Sequence, residues 1–225
     1  LFAQEAITVQ QFFAQLYAHA DIKQEPSSAG RGMNSHFATP YYDENGNPID
    51  QINRYNHTAD ISPTGGQIPR LMGLAWASKI FKENKLLHKG YEHLTNNGNE
   101  VAWGTIGNGA TSEGLFFETI NAAGVMQIPL VISVWDDGYA ISVPNEYHTV
   151  KSSISKAIQG FIREKGTNGI EVIHVKGWDY LALRKAYEKA ENFARNEYCP
   201  VVVHVDEMTQ PQGHSTSGAH TRYKP

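Results

Sequence analysis

Apolar positions along the chain fall into two regimes. In "TVQQFFAQLYAHA" (8–20), Phe12, Phe13, Leu16 and Tyr17 recur at helical spacing, which predicts an amphipathic helix. Periodicity then fails over residues 21–66, where "EPSSAGRG", "DENGNP" and "SPTGG" supply turn chemistry. An irregular stretch of that length inside a compact domain usually carries function or covers a partner surface. Order returns at residue 67: "QIPRLMGLAWASKIF" sets Ile68, Leu71, Leu74, Ala75, Ser78 and Phe81 along one broad helical face.

From there the chain alternates. "EVAWGTI" (100–106) reads as a short buried strand, "SEGLFFETINAAGVM" (112–126) as a helix and "PLVISVW" (129–135) as a second strand. A helical turn near 153–163 precedes "IEVIHV", "YLALRKAYEKAENFARN" and "PVVVHVD", which read as strand, helix and strand. Continuously apolar strands alternating with helices predict an α/β fold, a mostly parallel sheet with helices on both faces. One domain over residues 1–225 is expected, with no internal repeat or low-complexity segment.

Composition narrows the partners. A formal charge of −4 with no long basic block speaks against nucleic acid. No run of about 18 apolar residues is present, so no membrane-spanning helix is expected. The single cysteine, Cys199, excludes an internal disulfide and fits a reducing compartment, so a cytoplasmic or organelle-matrix location is expected. Without an initiator Met, and ending on "TRYKP", the chain reads as a piece of something longer.

The chemistry concentrates in two loops. In open parallel sheets, ligands gather at the carboxyl ends of strands, and "GTIGNGATSEG" (104–114) sits at such an end. Gly107 and Gly109 would permit close backbone approach, Thr111 or Ser112 could cap the next helix, and the exposed N–H groups of the turn, Ala110 included, would suit a diphosphate. A Walker loop is ruled out because no Gly-Lys-Ser/Thr follows, and the dinucleotide fingerprint fails because Ser112 replaces its third glycine. Taken alone, the loop reads equally well as a capping turn with no ligand. The second loop, "WDDGYAIS" (135–142), closes the next strand and should lie beside the first. An oxygen of Asn108, a carboxylate of Asp137 and a backbone carbonyl after Gly138 could then face one hard cation, and magnesium prefers such donors and often shares them with phosphates.

Together "GATSEG", "DGYAISVP" and "GHSTS" resemble the α subunit of the thiamine-diphosphate-dependent 2-oxo acid dehydrogenases, the decarboxylating first component of the branched-chain 2-oxo acid and pyruvate complexes. The likeness runs from about Ser28 to Tyr223. It implies the transketolase-like diphosphate-binding fold, with thiamine diphosphate and Mg2+ as cofactors. By position, Asn108 and Asp137 would be magnesium ligands, with the backbone oxygen of Tyr139 as a third, and Asp136 would flank the site without ligating. The family's usual form puts its acid in the first loop and its amide in the second; this sequence exchanges them, leaving one carboxylate near the ion.

The same resemblance assigns "SPTGGQIP" (62–69) to the aminopyrimidine ring, with Ser62 and Thr64 presenting polar groups and Ile141 supporting the cofactor. "GRGMNSHF" (30–37) resembles a segment near the active-site entrance. In "PQGHSTSGAHTRY", His214 would take the catalytic role near the reacting carbon, while Ser215 and Ser217 match positions that some relatives phosphorylate. His36, His57 and His220 are better read as solvated loop histidines. Trp135 and Gln210 stand where some relatives carry arginine.

The activity implied is decarboxylation of a 2-oxo acid, with transfer of the acyl group to a lipoyl-bearing acyltransferase. The activating glutamate has no candidate here; it would come from a β subunit or a fused β half, in an α2β2 assembly or a dimer of fused chains. Two alternatives stay open: a retained fold that serves as an assembly module without catalysis, and another thiamine-diphosphate enzyme such as a transketolase.

Overall fold

The computed structural model describes residues 2, 6–58, 63–214 and 219–223. The chain divides into two compact units, Leu1–Ser62 with Asn84–Asn97, and Pro63–Glu83 with Gly98–Pro225. The sequence reading has one domain over the same span.

The first unit is built mainly from turns. Its helix α1 (Val9–Leu16) opens with a capping box, in which the Thr8 hydroxyl accepts from Gln11 N–H and the Gln11 side chain accepts from Thr8 N–H. The predicted apolar stripe does not become its buried face. Phe13, Leu16 and Tyr17 are exposed, while Gln15 is buried. The Gln15 amide donates to His36 O at 2.8 Å and accepts from Ser35 N at 2.7 Å, so hydrogen bonding joins the contact of Phe12 with Phe37 in anchoring α1 within its unit. Glu25 is buried too, and its carboxylate accepts from Ser27 N, Ser28 N, the Ser28 hydroxyl and Gly30 N at 2.6–2.9 Å. Burial pushes its pKa up, but those four donors outweigh burial and hold it below the usual glutamate value.

The second unit follows the predicted alternation. In chain order it contains α2 (Gln67–Glu83), β1 (Ala102–Gly107), α3 (Gly114–Met126), β2 (Leu130–Trp135), a small hairpin of β3 (Tyr139–Ala140) and β4 (Val143–Pro144), α4 (Asn145–His148), α5 (Ile154–Ala157), β5 (Glu171–Lys176), α6 (Tyr180–Glu197) and β6 (Val201–Asp206). The main sheet runs β1-β2-β6-β5 with every pair parallel.

Both faces of this sheet are covered, which is why its strands lack polar alternation. Leu130, Ile132 and Val134 of β2 point to one side, into a core with Ile68 and Ala75 of α2 and Phe116, Ile120 and Ala123 of α3. Val131 of β2 and Val201, Val203 and Val205 of β6 point to the other, against Ala186, Ala190 and Ala194 of α6. The alanine stripe of α6 lets that helix approach the valines closely, and Asp179 caps it by accepting from Ala182 N at 2.9 Å. On α2 the predicted face holds for Ile68, Ala75 and Ser78, but Leu74 is exposed.

Parallel register brings three strand ends level. Gly107 pairs with Trp135, and Trp135 with Val205. The loops after β1, β2 and β6 therefore leave the sheet at one edge.

Candidate functional site

At that edge lies a cavity of about 620 Å³, lined by Thr64, Gly107–Ala110, Glu113, Trp135, Asp137, Tyr139–Ile141, Met208–Gln210 and His214. Its volume falls in the range of small-molecule sites, roughly 300–1,000 Å³. The residues singled out from the sequence meet here: Thr64, Gly107, Asn108, Gly109, Ala110, Asp137, Tyr139, Ile141 and His214 all line the one space. Ser62 lies outside the described residues, as do Ser215 and Ser217.

Local geometry explains why the first loop has its glycines. A Cβ on Gly109 would stand 2.5 Å from the Ala140 Cβ and 2.9 Å from its Cα, so only glycine lets the first loop pack against the hairpin of the second. A Cβ on Gly107 would meet nothing within 4 Å. The second loop turns at Gly138, whose φ of 87° favours glycine, and Ile141 holds a positive φ of 58° despite its branched side chain.

One local expectation is corrected. Neither Thr111 nor Ser112 caps the helix that follows. Gly109–Ser112 forms a turn of 3-10 helix, and α3 starts at Gly114 after Glu113, with no side-chain cap. The Thr111 hydroxyl instead donates back to Asn108 O at 2.5 Å, and the Ser112 hydroxyl donates to His148 O at 3.0 Å. The extra 3-10 turn uses up the positions a cap would need.

Asn108 is buried at 4% exposure, with its backbone N–H on Trp135 O at 3.1 Å and its side-chain Nδ2 donating to Asn145 Oδ1 at 2.7 Å. Asp137 is half-buried and accepts from Tyr139 N–H at 3.2 Å. His214 is exposed at the rim. Asp136 is not among the residues that line the cavity, but it is not idle. It is buried and accepts from Gly138 N at 2.8 Å, from Asn145 Nδ2 at 3.0 and 3.2 Å, and from His204 Nε2 at 2.9 Å. Burial raises its pKa most, but the bonds from His204, Asn145 and Gly138, with the coulombic pull of His204, together hold it below the ordinary aspartate value.

Sequence reasoning missed Asn145 and His204. His204 did leave a signal, as the one polar residue in "VVVHVD" that its neighbours would bury. Met208 and Thr209, also unforeseen, join the cavity because β6 ends level with β1 and β2.

The donor set suits a hard cation beside an anionic ligand. Among the described residues, no three His, Cys, Asp or Glu side chains gather at one point. What the two loops bring together is the carboxylates of Asp137 and Glu113, the side-chain amide of Asn108 and backbone oxygens, the chemistry that Mg2+ shares with phosphates.

The chain is 32% identical over 175 residues to the 2-oxoisovalerate dehydrogenase subunit alpha 1, mitochondrial, of Arabidopsis thaliana, covering 76% of this chain and 32% of that protein. It is 29% identical over 218 residues to the mitochondrial 2-oxoisovalerate dehydrogenase subunit alpha of Caenorhabditis elegans, covering 96% of this chain and 41% of that one. The pyruvate dehydrogenase E1 component subunit alpha of Acholeplasma laidlawii is 34% identical over 155 residues, which is 68% of this chain and 38% of that protein. The chain thus spans between about a third and two fifths of the length of the curated relatives it matches. Among the described residues no helix is long and apolar enough to cross a membrane. The family model described as "Dehydrogenase E1 component" matches residues 3–225, and the chain belongs to that family.

Proposed function

We propose that this chain is the diphosphate-binding α part of a 2-oxo acid dehydrogenase, which holds thiamine diphosphate through Mg2+ in the cavity at the ends of β1, β2 and β6. One observation carries the reading: the loops after β1 and β2 set Asn108 and Asp137 around the same cavity, with Gly107, Gly109 and Ala110 beside them. The side-chain oxygen of Asn108, a carboxylate oxygen of Asp137 and the backbone oxygen of Tyr139 would be the protein ligands. When bound, the cofactor supplies the electron sink for loss of carbon dioxide from a 2-oxo acid.

The chain's own residues bind, orient and exclude water. Ile141 offers apolar surface to the cofactor, Thr64 a polar contact, and Trp135 and Met208 keep part of the wall apolar. His214, exposed at the rim, would exchange a proton with substrate or guide a lipoyl arm, since an imidazole can both give and accept a proton. Ser62 is proposed as a further cofactor contact beside Thr64. The activating glutamate is assigned to a β subunit or fused β half, in an α2β2 assembly or a dimer of fused chains, with a lipoyl-bearing acyltransferase as acceptor. A cytoplasmic or organelle-matrix location follows from that role.

The test is turnover by the full-length protein with its β part. Decarboxylation of 2-oxo acids coupled to an artificial electron acceptor is expected, and comparing branched-chain acids, pyruvate and 2-oxoglutarate identifies the substrate. A fully assembled protein that binds the cofactor yet turns over none of them would favour the assembly-module alternative.

A further inference from the structure

Asn108 can serve a cation only through its carbonyl oxygen, because an NH2 group facing the ion repels it. What decides which end of this amide faces the cavity lies behind it, in a row of buried and half-buried side chains, with Asp136 and His204 buried and Asn145 and Ser155 half-buried. Asn108 Nδ2 is 2.7 Å from Asn145 Oδ1 at the start of α4. Asn145 Nδ2 is 3.0 and 3.2 Å from the two oxygens of Asp136. His204 Nε2 of β6 is 2.9 Å from Asp136 Oδ2, and Ser155 Oγ of α5 is 2.7 Å from His204 Nδ1.

Chemistry fixes the direction of each link. The Gly138 N–H can only donate, so Asp136 Oδ1 accepts it. His204 turns its Nε2 proton to the other carboxylate oxygen, and the Ser155 hydroxyl can donate to Nδ1. The carboxylate therefore presents only acceptors to Asn145, which must give it the NH2. Asn145 Oδ1 is then left toward Asn108, and only the NH2 of Asn108 can satisfy it. The carbonyl oxygen of Asn108 is the end that remains for the cavity.

We infer that His204, Asp136 and Asn145 form a directional hydrogen-bond chain that compels Asn108 to turn its carbonyl oxygen, not its NH2, into the cavity. The three are positioning residues, and none of them lines the cavity. The inference rests on the ion-binding reading above and adds to it the reason why position 108 bears an amide. A carboxylate there would face Asn145 Oδ1 with no proton between them, in a buried setting where such a contact is costly. The whole chain would reverse if its far end were an amide: Asn145 could then accept from position 136 and donate to position 108.

That reversal is the test, made on the full-length protein assembled with its β part. Thiamine diphosphate is titrated calorimetrically with and without Mg2+ into wild type, Asn108→Asp, Asp136→Asn and the double variant. Asp136→Asn is expected to weaken magnesium-dependent binding by about tenfold to a hundredfold, the size typical of residues that orient metal ligands, and Asn108→Asp, a change at a ligand itself, by at least as much. The double variant is expected to bind more tightly than either single one. A purely structural role for Asp136 predicts the opposite, losses that add. A double variant no better than the worse single one, or an Asn108→Asp protein that binds like wild type, would overturn the inference. Absence of magnesium-dependent binding in wild type would overturn the functional reading instead. The same four proteins melted without cofactor then judge the chain by itself: a smaller loss of Tm in the double variant than in either single one supports its direction, and additive losses refute it.

Discussion

Two buried carboxylates, one in each unit, show how differently this chain uses the same chemistry. Glu25 is satisfied within its own turn, by donors no further along the chain than Gly30. Asp136 draws on Gly138, Asn145 and His204, the last 68 residues away. Both carboxyl groups are held below their ordinary pKa, because hydrogen bonds to the charged form outweigh burial. The Glu25 cluster closes on itself and can do no more than shape a loop. The Asp136 cluster has a free direction, toward Asn108 and the cavity, so its order is transmitted to a site. Locality separates a structural clamp from a positioning device.

Breaking the distant cluster should do the most damage. Asp136→Ala would leave Asn145, His204 and the Gly138 N–H without their common acceptor. The expected loss is several kcal/mol of stability, from about 1–3 kcal/mol for each buried donor left unsatisfied, read from denaturant unfolding. Glu25→Ala should cost less, about 1–3 kcal/mol, since a surface turn can relax and let water replace the carboxylate. Hydrogen exchange sharpens the contrast. In Glu25→Ala the faster amides should be those of Ser27, Ser28 and Gly30, whereas in Asp136→Ala they should spread to α4 and to the end of β6.

A pH series separates charge from shape. Because the folded-state pKa of Glu25 is depressed, its contribution is fully present above the unfolded value, near 4.5, and is lost as pH falls through the folded one. Melting temperatures taken from about pH 6 to about pH 3 should therefore fall less steeply for Glu25→Gln than for wild type. Equal slopes would mean that the four donors do not favour the charged form.

The smallest expected effect concerns a third buried group. Cys199 is fully buried at the end of α6, where its thiol has only distant carbonyl contacts at 3.7 and 3.9 Å. Burial, acting first, pushes its pKa up to about 11. A thiol reagent at about pH 8 should leave the folded protein unmodified and react only on unfolding. Rapid native labelling would contradict the burial.

Legibility in the sequence follows the same division between near and far. The strands and helices of the second unit were readable because their apolar runs have a period set by the backbone itself, as in "PLVISVW" and "YLALRKAYEKAENFARN". Gly109 was readable because a glycine between strand and helix marks a close approach, and Asp137 because it follows an apolar strand at its carboxyl end. Asn145 and His204 were not, since nothing in their neighbourhood along the chain says that β6 will lie beside β2 and α4 behind the first loop. The stripe on α1 misled for a related reason: Phe13, Leu16 and Tyr17 have the spacing of a buried face, but the unit anchors that helix through Gln15 and Phe12. The capping role of Thr111 failed because an intervening 3-10 turn is invisible to residue preference.

The central claim is that Asn108 and Asp137 grip one divalent cation that tethers a diphosphate. Its most direct measurement is Mn2+ binding by electron paramagnetic resonance, with the assembled full-length protein, thiamine diphosphate, and Asp137→Ala as the comparison. The account predicts a bound Mn2+ signal that requires thiamine diphosphate and that Asp137→Ala weakens by more than the roughly tenfold to hundredfold expected of a residue one layer further out. An Asp137→Ala protein that binds Mn2+ and thiamine diphosphate as wild type does would contradict it.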